Sequence, residues 1–179
     1  NMTVICPADA NETVEAVKAI AEMDGPCYIR LNRNDYPNVT IEGEPFQIGE
    51  PKIIKEGSDI VVFAMGYMVG LALEAAKELE ETISVKVVNV PTIKPLNQTA
   101  IRAAAKDCKA VVTAEEHNIK GGLGSAIAEA LCKERKPIEF VGIEDTFGCS
   151  AHNYQELLSY FGLTAEHIKE AVIKMNQYK

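Results

Sequence analysis

Glu115-Glu116-His117-Asn118-Ile119-Lys120-Gly121-Gly122-Leu123-Gly124-Ser125 is the stretch on which the fold turns. It follows the apolar run Ala110-Val111-Val112-Thr113-Ala114 and leads into Ala126-Ile127-Ala128-Glu129-Ala130-Leu131. That order reads as strand, charged turn, glycine-rich turn and helix. Acidic residues and a histidine beside glycines invite a catalytic or phosphate-binding reading. A glycine-rich turn at a helix N-terminus can hold phosphate through free backbone N–H groups. The dinucleotide fingerprint Gly-x-Gly-x-x-Gly fails here, because counting from Gly122 its last position is Ile127. No Gly-Lys-Ser/Thr follows either, so this is no P-loop. The residues read instead as a tight turn that lets the helix pack close to the sheet. In Glu115-Glu116-His117 two adjacent carboxylates could raise each other's pKa and a histidine could relay protons. Neighbouring residues at a strand end point in different directions, which makes the trio a poor metal site. It reads as structural or interfacial.

Working outward, the same alternation repeats. Ile60-Val61-Val62-Phe63-Ala64 is a buried strand, and Gly66 turns it into a helix carrying Val69, Ala72, Leu73, Ala76 and Leu79. Val85–Val90 is a strand followed by a loop framed by Pro91 and Pro95. Ile101, Ala104, Ala105 and Cys108 mark a helix, and Ile138–Ile143 is a strand. Asn153 and Glu156 form a capping pair, and Thr164 caps a last helix lined by Ile168, Ala171, Val172 and Met175. Regular alternation of this kind predicts an α/β fold with a largely parallel sheet and helices on both faces.

Toward the N-terminus, Thr3–Cys6 reads as a strand and Asp9-Ala10-Asn11-Glu12 as a capping box. Val14, Val17, Ile20 and Ala21 follow at helical spacing until Gly25-Pro26, and Cys27–Leu31 is a second strand. One βαβ unit is too small to bury both faces of its sheet. It reads as the end of a domain that starts before Asn1. Between the two blocks, residues 32–57 are rich in Asn, Pro, Gly and Glu, with Phe46-Gln47-Ile48 and Lys52-Ile53-Ile54 as short extended pieces. A domain boundary is expected near residues 40–45, which gives units 1–42 and 46–179.

The chain has 179 residues, 47% of them hydrophobic and 25% charged, and a formal net charge of -8. This suits a folded domain rather than a disordered one. No Lys/Arg cluster forms the basic face of a nucleic-acid binder. No apolar run is long enough to cross a bilayer, and no charged segment leads into the apolar core of a secretory signal. Cys6, Cys27, Cys108, Cys132 and Cys149 are scattered and form no Cys-x-x-Cys, as expected of a reduced cytoplasmic protein. Arg30 and Arg33 stand where the second N-terminal strand runs out. Ligands in open α/β sheets gather beyond the carboxyl ends of strands, and arginine there suits a phosphate or carboxylate. A solvated pair, or a link from arginine to Asp35, accounts for them equally well.

Five of these motifs, in order, resemble one family. Pro7–Glu12 and Gly25-Pro26-Cys27-Tyr28-Ile29-Arg30-Leu31-Asn32-Arg33 resemble the end of the pyrimidine-binding domain of transketolase-type thiamine diphosphate enzymes. Thr92-Ile93-Lys94-Pro95-Leu96, Glu115-Glu116-His117 with Gly121-Gly122-Leu123-Gly124-Ser125, and Gly142-Ile143 with Asp145-Thr146-Phe147-Gly148 resemble the family's C-terminal domain. The resemblance extends over nearly the whole chain and is closest to the C-terminal section of transketolases encoded as two chains. One loop departs from it: the family has Phe-Gly-Glu-Ser-Gly where this chain has Phe147-Gly148-Cys149-Ser150-Ala151.

The resemblance implies a partial pyrimidine-domain βαβ unit followed by a transketolase C-terminal domain. It implies a two-carbon ketol transfer between sugar phosphates, using thiamine diphosphate and a divalent metal (magnesium or calcium) in the complete enzyme. The family's Gly-Asp-Gly motif for diphosphate and metal does not occur here. The family's glutamate that activates the aminopyrimidine ring, and its histidines and aspartate that contact the sugar, would precede Asn1. The expectation is therefore no catalytic, cofactor or metal residue in this chain, and no activity from the chain alone. Arg33 matches the arginine that holds the sugar phosphate, with Arg30 a weaker companion. The implied partners are an N-terminal section, a second copy through the C-terminal domain, and sugar phosphates, with neither nucleic acid nor membrane. Three alternatives stay open: part of a 1-deoxyxylulose-5-phosphate synthase, a nucleotide-binding regulatory module on the Gly121–Gly124 turn, or a pure dimerisation domain.

Overall fold

β4 (Ile60–Ala64) and β7 (Ala110–Asn118) lie side by side and parallel at the centre of the computed structural model, which describes residues 1–178. Every residue of β4 and of β5 (Val85–Asn89) is buried. A strand covered on both faces needs apolar side chains at successive positions rather than alternate ones, which is why β4 reads as an unbroken apolar run. In β5 the buried Lys86 and Asn89 are accommodated by donating to the Ala104 carbonyl and to Glu12 Oε1. β5 and β8 (Ile138–Ile143) continue the parallel sheet, and β3 (Lys52–Lys55) closes it as an antiparallel edge. The spatial order is β3-β5-β4-β7-β8.

The two faces separate by strand alternation. Ile60, Val62 and Ala64 point to one side, under α2 (Met68–Glu78) and α6 (Ala165–Asn176). Val61 and Phe63 point to the other, under α3 (Gln98–Ala105) and α4 (Leu123–Leu131). The expected largely parallel sheet with helices on both faces is the observed fold. Ile168, Ala171, Val172 and Met175 are all buried, as their spacing predicts, and Thr164 and Asn153 cap α6 and the short α5 (Tyr154–Tyr160).

The N-terminal block forms a second, smaller sheet. β1 (Thr3–Ile5) pairs in parallel with β2 (Cys27–Ile29), with α1 (Ala10–Ala21) between them in sequence. The other edge of β1 is taken by β6 (Thr92–Lys94), running antiparallel. Sequence reading sees only a loop between Pro91 and Pro95. Three residues are too few to show a strand period, and their pairing partner lies far back in the chain. Two further corrections are local. Phe46-Gln47-Ile48 forms no strand: Glu50 N–H bonds back to the Gln47 carbonyl (3.1 Å), and Gly49 at φ 92° turns the chain before β3. Cys108 is buried but lies beyond the end of α3. On α1 only Ala16 is fully buried, whereas Val14 and Val17 are 53% and 46% exposed.

Asp9 ties α1 to the segment that leads into the larger sheet. Its Oδ1 accepts from Glu12 N (2.9 Å) and Thr40 Oγ1 (2.7 Å), and its Oδ2 from Val39 N and Thr40 N (2.6 Å each). Glu12 returns the bond at Ala8 N (2.6 Å), completing a capping arrangement. Burial alone would raise the Asp9 pKa, but the donors from Glu12, Thr40 and Val39 together bring it below the ordinary 3.8. A carboxyl depressed on folding adds stability that is full above its unfolded pKa and is lost as pH falls through its folded one. Asp9→Asn is therefore expected to flatten the loss of stability below pH 3.8, followed by urea denaturation at stepped pH. An unchanged acid limb in the variant would show that Asp9 plays no part in it.

Candidate functional site

The chain leaves β4 toward β5 on one side and later returns to β7 on the other. β4 and β7 are therefore the strands between which the winding reverses. Connections diverge from the carboxyl ends of such strands and leave a crevice. Here that crevice is a cleft of about 180 Å³. Met65-Gly66-Tyr67 after β4 and Glu116 near the end of β7 form one wall, and the segment after β2 carrying Arg30, Asn32 and Arg33 forms the other. Tyr154, from the start of α5, closes the end.

Each side chain has a definable state. Arg30 is half-buried, and its Nη2 donates to the Glu116 carbonyl at 2.6 Å. Asn32 Nδ2 donates to Glu116 Oε2 (3.1 Å) and to the Tyr154 hydroxyl (2.7 Å). Arg33 is exposed at the mouth of the cleft, and among the described residues it forms no ion pair with Asp35 or any other carboxylate. Tyr36, Tyr67 and Tyr154 stack edge to face in a row, with centroids 5.2 and 5.6 Å apart. Burial pushes the Tyr36 phenol up to about 12 and raises those of Tyr67 and Tyr154. Burial likewise takes the Cys6 thiol to about 11, against the opposing pull of Arg30. The cleft thus brings the two arginines and the Glu116 side chain together with neutral phenols and an un-ionised thiol. Arginine side chains of this kind suit an anionic group, and the raised thiol and phenols offer no activated nucleophile.

The Glu115-Glu116-His117 trio is split three ways. Glu115 is fully buried beneath the glycine-rich turn. Its Oε2 accepts from Leu123 N (2.7 Å) and its Oε1 from Gly124 N (2.8 Å). The anion at the α4 N-terminus is therefore the protein's own carboxylate. Burial pushes the Glu115 pKa up, opposed by those two N–H donors and by the charges of His117 and Arg30. Glu116 faces the cleft, and His117 is exposed with Nδ1 3.0 Å from the Asn118 carbonyl. The glycines are required by close approach. A Cβ on Gly122 would sit 2.0 Å from Glu115 Oε2, and one on Gly124 would sit 2.2 Å from the Phe140 ring. The tight-turn reading of the sequence agrees with this geometry. It did not include the carboxylate that fills the turn.

Of the two arginines singled out in the sequence, both line the same cleft. Asn32, Glu116 and Tyr154 were not singled out for it. They are 84 and 122 residues apart in their pairings, and no local pattern marks them. Phe147, in the loop that departs from the family pattern, is 96% exposed and lies away from the cleft lining.

Fold and site together define an open α/β domain with an arginine-lined crevice at its switch point. A family model described as "Transketolase, C-terminal domain" matches residues 49–168. A Methanocaldococcus jannaschii protein named for a transketolase C-terminal section is 39% identical over 97% of this chain and 55% of its own length. The 6-deoxy-6-sulfo-D-fructose transketolase subunit SqwH of Clostridium sp. is 39% identical over 99% of this chain and 56% of its own. A solved structure described as "Split gene transketolase, inactive beta4 tetramer" superposes with a TM-score of 0.94 at 45% identity, over 100% of this chain and 59% of that one. The chain belongs to the transketolase family and carries its C-terminal domain. It spans less than two thirds of the length of each of these relatives.

The residues present do not fit the diphosphate–metal end of thiamine diphosphate. Among the described residues no three His, Cys, Asp or Glu side chains converge on a possible ion. The N–H groups of Leu123 and Gly124, the turn's natural phosphate donors, are already bonded to Glu115. Among the same residues no helix is long and apolar enough to cross a membrane.

Proposed function

We propose that this chain is the C-terminal section of a transketolase assembled from two chains, and that the assembled enzyme moves a two-carbon ketol unit between sugar phosphates. The likeness to a split-gene transketolase chain over the full length of this one carries the reading. Residues 1–42 are then the end of the pyrimidine-binding domain, and 46–179 the C-terminal domain. The uncovered Val14 and Val17 on α1, with Tyr28 (52% exposed) on β2, support a first unit completed by further polypeptide. Thiamine diphosphate with its divalent ion supplies the electron sink for the transfer and is held by groups outside this chain.

Within that enzyme this chain binds and positions. Arg33, at the mouth of the cleft and free of ion pairs among the described residues, takes the phosphate of the sugar, and Arg30 steadies the wall behind it. The larger α/β unit supplies the surface for a second copy. The five free cysteines fit a reducing cytoplasm.

The purified chain alone is expected to show no ketol transfer, while mixing it with the N-terminal section restores turnover. A coupled assay of aldose phosphate consumption reads this directly. Turnover by the chain without a partner would overturn the proposal.

A further inference from the structure

The amide of Asn32 is fully employed, and each of its halves serves a different part of the fold. Its Oδ1 accepts from Asn34 N at 2.9 Å, closing a side-chain turn whose middle residue is Arg33. Its Nδ2 donates outward to Glu116 Oε2 at 3.1 Å and to the Tyr154 hydroxyl at 2.7 Å. One side chain therefore sets the local backbone around Arg33 and fastens that backbone to β7 and α5. The far anchors are firm. Glu116 also accepts from Arg30 through its carbonyl at 2.6 Å, and Tyr154 is stacked on Tyr67, which is stacked on Tyr36.

Only asparagine meets all of these demands. Aspartate has the acceptor for the turn but no donor, and it would face the Glu116 carboxylate. Glutamine carries an extra methylene and misses the short turn, and an apolar residue does neither. Arg33 itself is exposed and makes no ion pair among the described residues, so the turn is the part of its setting that is held in place.

We infer that Asn32 is a positioning residue: clamped between Glu116 and Tyr154, it aims Arg33 across the mouth of the cleft at an incoming phosphate. The inference rests on the reading of Arg33 as the phosphate-holding group. Its effect is preorganisation, in which a guanidinium already aimed loses less freedom on binding.

The test uses the full chain, titrated with inorganic phosphate and followed by the NMR signal of Arg33 Nε, with hydrogen exchange at the Asn34 amide as a second reading. Asn32→Ala is expected to weaken phosphate binding by about 10-fold and to speed Asn34 exchange. Asn32→Asp should weaken it by a similar factor although the turn acceptor remains. Tyr154→Phe, which removes one oxygen and leaves the packing, should weaken binding by about 3-fold without lowering the melting temperature. The double variant Asn32→Ala/Arg33→Ala should bind no worse than Arg33→Ala, since positioning has no value once the positioned group is gone. Affinities within twofold of the unmodified chain in all the Asn32 and Tyr154 single variants, with the Arg33 signal unmoved, would overturn the inference. If the unmodified chain binds no phosphate, the phosphate reading of Arg33 fails. Positioning is then decided by Arg33 Nε relaxation: lost order in Asn32→Ala upholds it, and unchanged order overturns it.

Discussion

Replacing Arg33 by alanine in the enzyme reconstituted from both sections is expected to raise the KM for sugar phosphates by about 10- to 100-fold and to leave kcat nearly unchanged. A hydrogen bond to a charged group contributes about 1.5–3 kcal/mol, and about 1.4 kcal/mol is a factor of ten. Arg33 stands at the mouth of the cleft, and the lining residues include no activated nucleophile. Loss of a group that grips substrate and transition state alike raises KM and spares kcat. Arg33→Lys should recover part of the loss, because a single ammonium keeps the charge but not the two-pronged geometry. Added salt should raise the KM of the unmodified enzyme more than that of the alanine variant, since an exposed charge is screened. Steady-state kinetics at two ionic strengths checks all three. An unchanged KM in Arg33→Ala would remove phosphate capture from this cleft and leave the chain an assembly domain.

The second large effect lies in folding. Glu115→Ala removes the carboxylate that accepts from Leu123 N and Gly124 N, and it leaves both donors buried above a void. Each buried donor left without a partner costs about 1–3 kcal/mol, so two of them take a large part of the stability of an ordinary domain. Gly122→Ala attacks the same point from above. The new Cβ falls 2.0 Å from Glu115 Oε2 and 2.8 Å from the Asn118 carbonyl, so the turn or the carboxylate must move. Gly121→Ala is the control. It meets no atom within 4 Å but sits at φ 83°, so its cost is only that of the left-handed backbone, about 1–2 kcal/mol. Urea midpoints should therefore fall sharply for Glu115→Ala and Gly122→Ala, and modestly for Gly121→Ala. A Gly122→Ala chain with the midpoint of Gly121→Ala would show that the turn yields more easily than its geometry implies.

This outcome would also bear on the Gly121–Gly124 turn as a nucleotide site. Two of its backbone donors are spent on Glu115, so an external phosphate would have to displace a buried internal carboxylate. The sequence offers the turn as a ligand loop or as a packing device. The side chain that decides between them lies eight residues before Leu123, on the strand below.

Much of the architecture was present in local order. Unbroken runs such as Ile60–Ala64 mark strands buried on both faces, because nothing else places apolar side chains on both sides of a ribbon. Cap residues Asp9, Asn153 and Thr164 act over three or four positions, so neighbouring letters suffice to place them. Arg30 and Arg33 could be chosen as candidates because their place at a strand end is itself a local fact. Long-range pairing was not legible. β6 is three residues that become a strand only because β1 offers an open edge, and Phe46-Gln47-Ile48 fails to become one where Gly49 bends the chain away. The cleft joins Asn32 to Glu116 and Tyr154 through bonds whose partners stand 84 and 122 residues away. Sequence alone determined the alternating α/β class and the caps, since periodicity and capping are short-range physics, and it marked the two arginines as candidates. The tertiary structure decided which carboxylate fills the glycine turn and which amide ties the Arg33 segment to Glu116 and Tyr154, because those contacts exist only after the sheet has brought distant strand ends together.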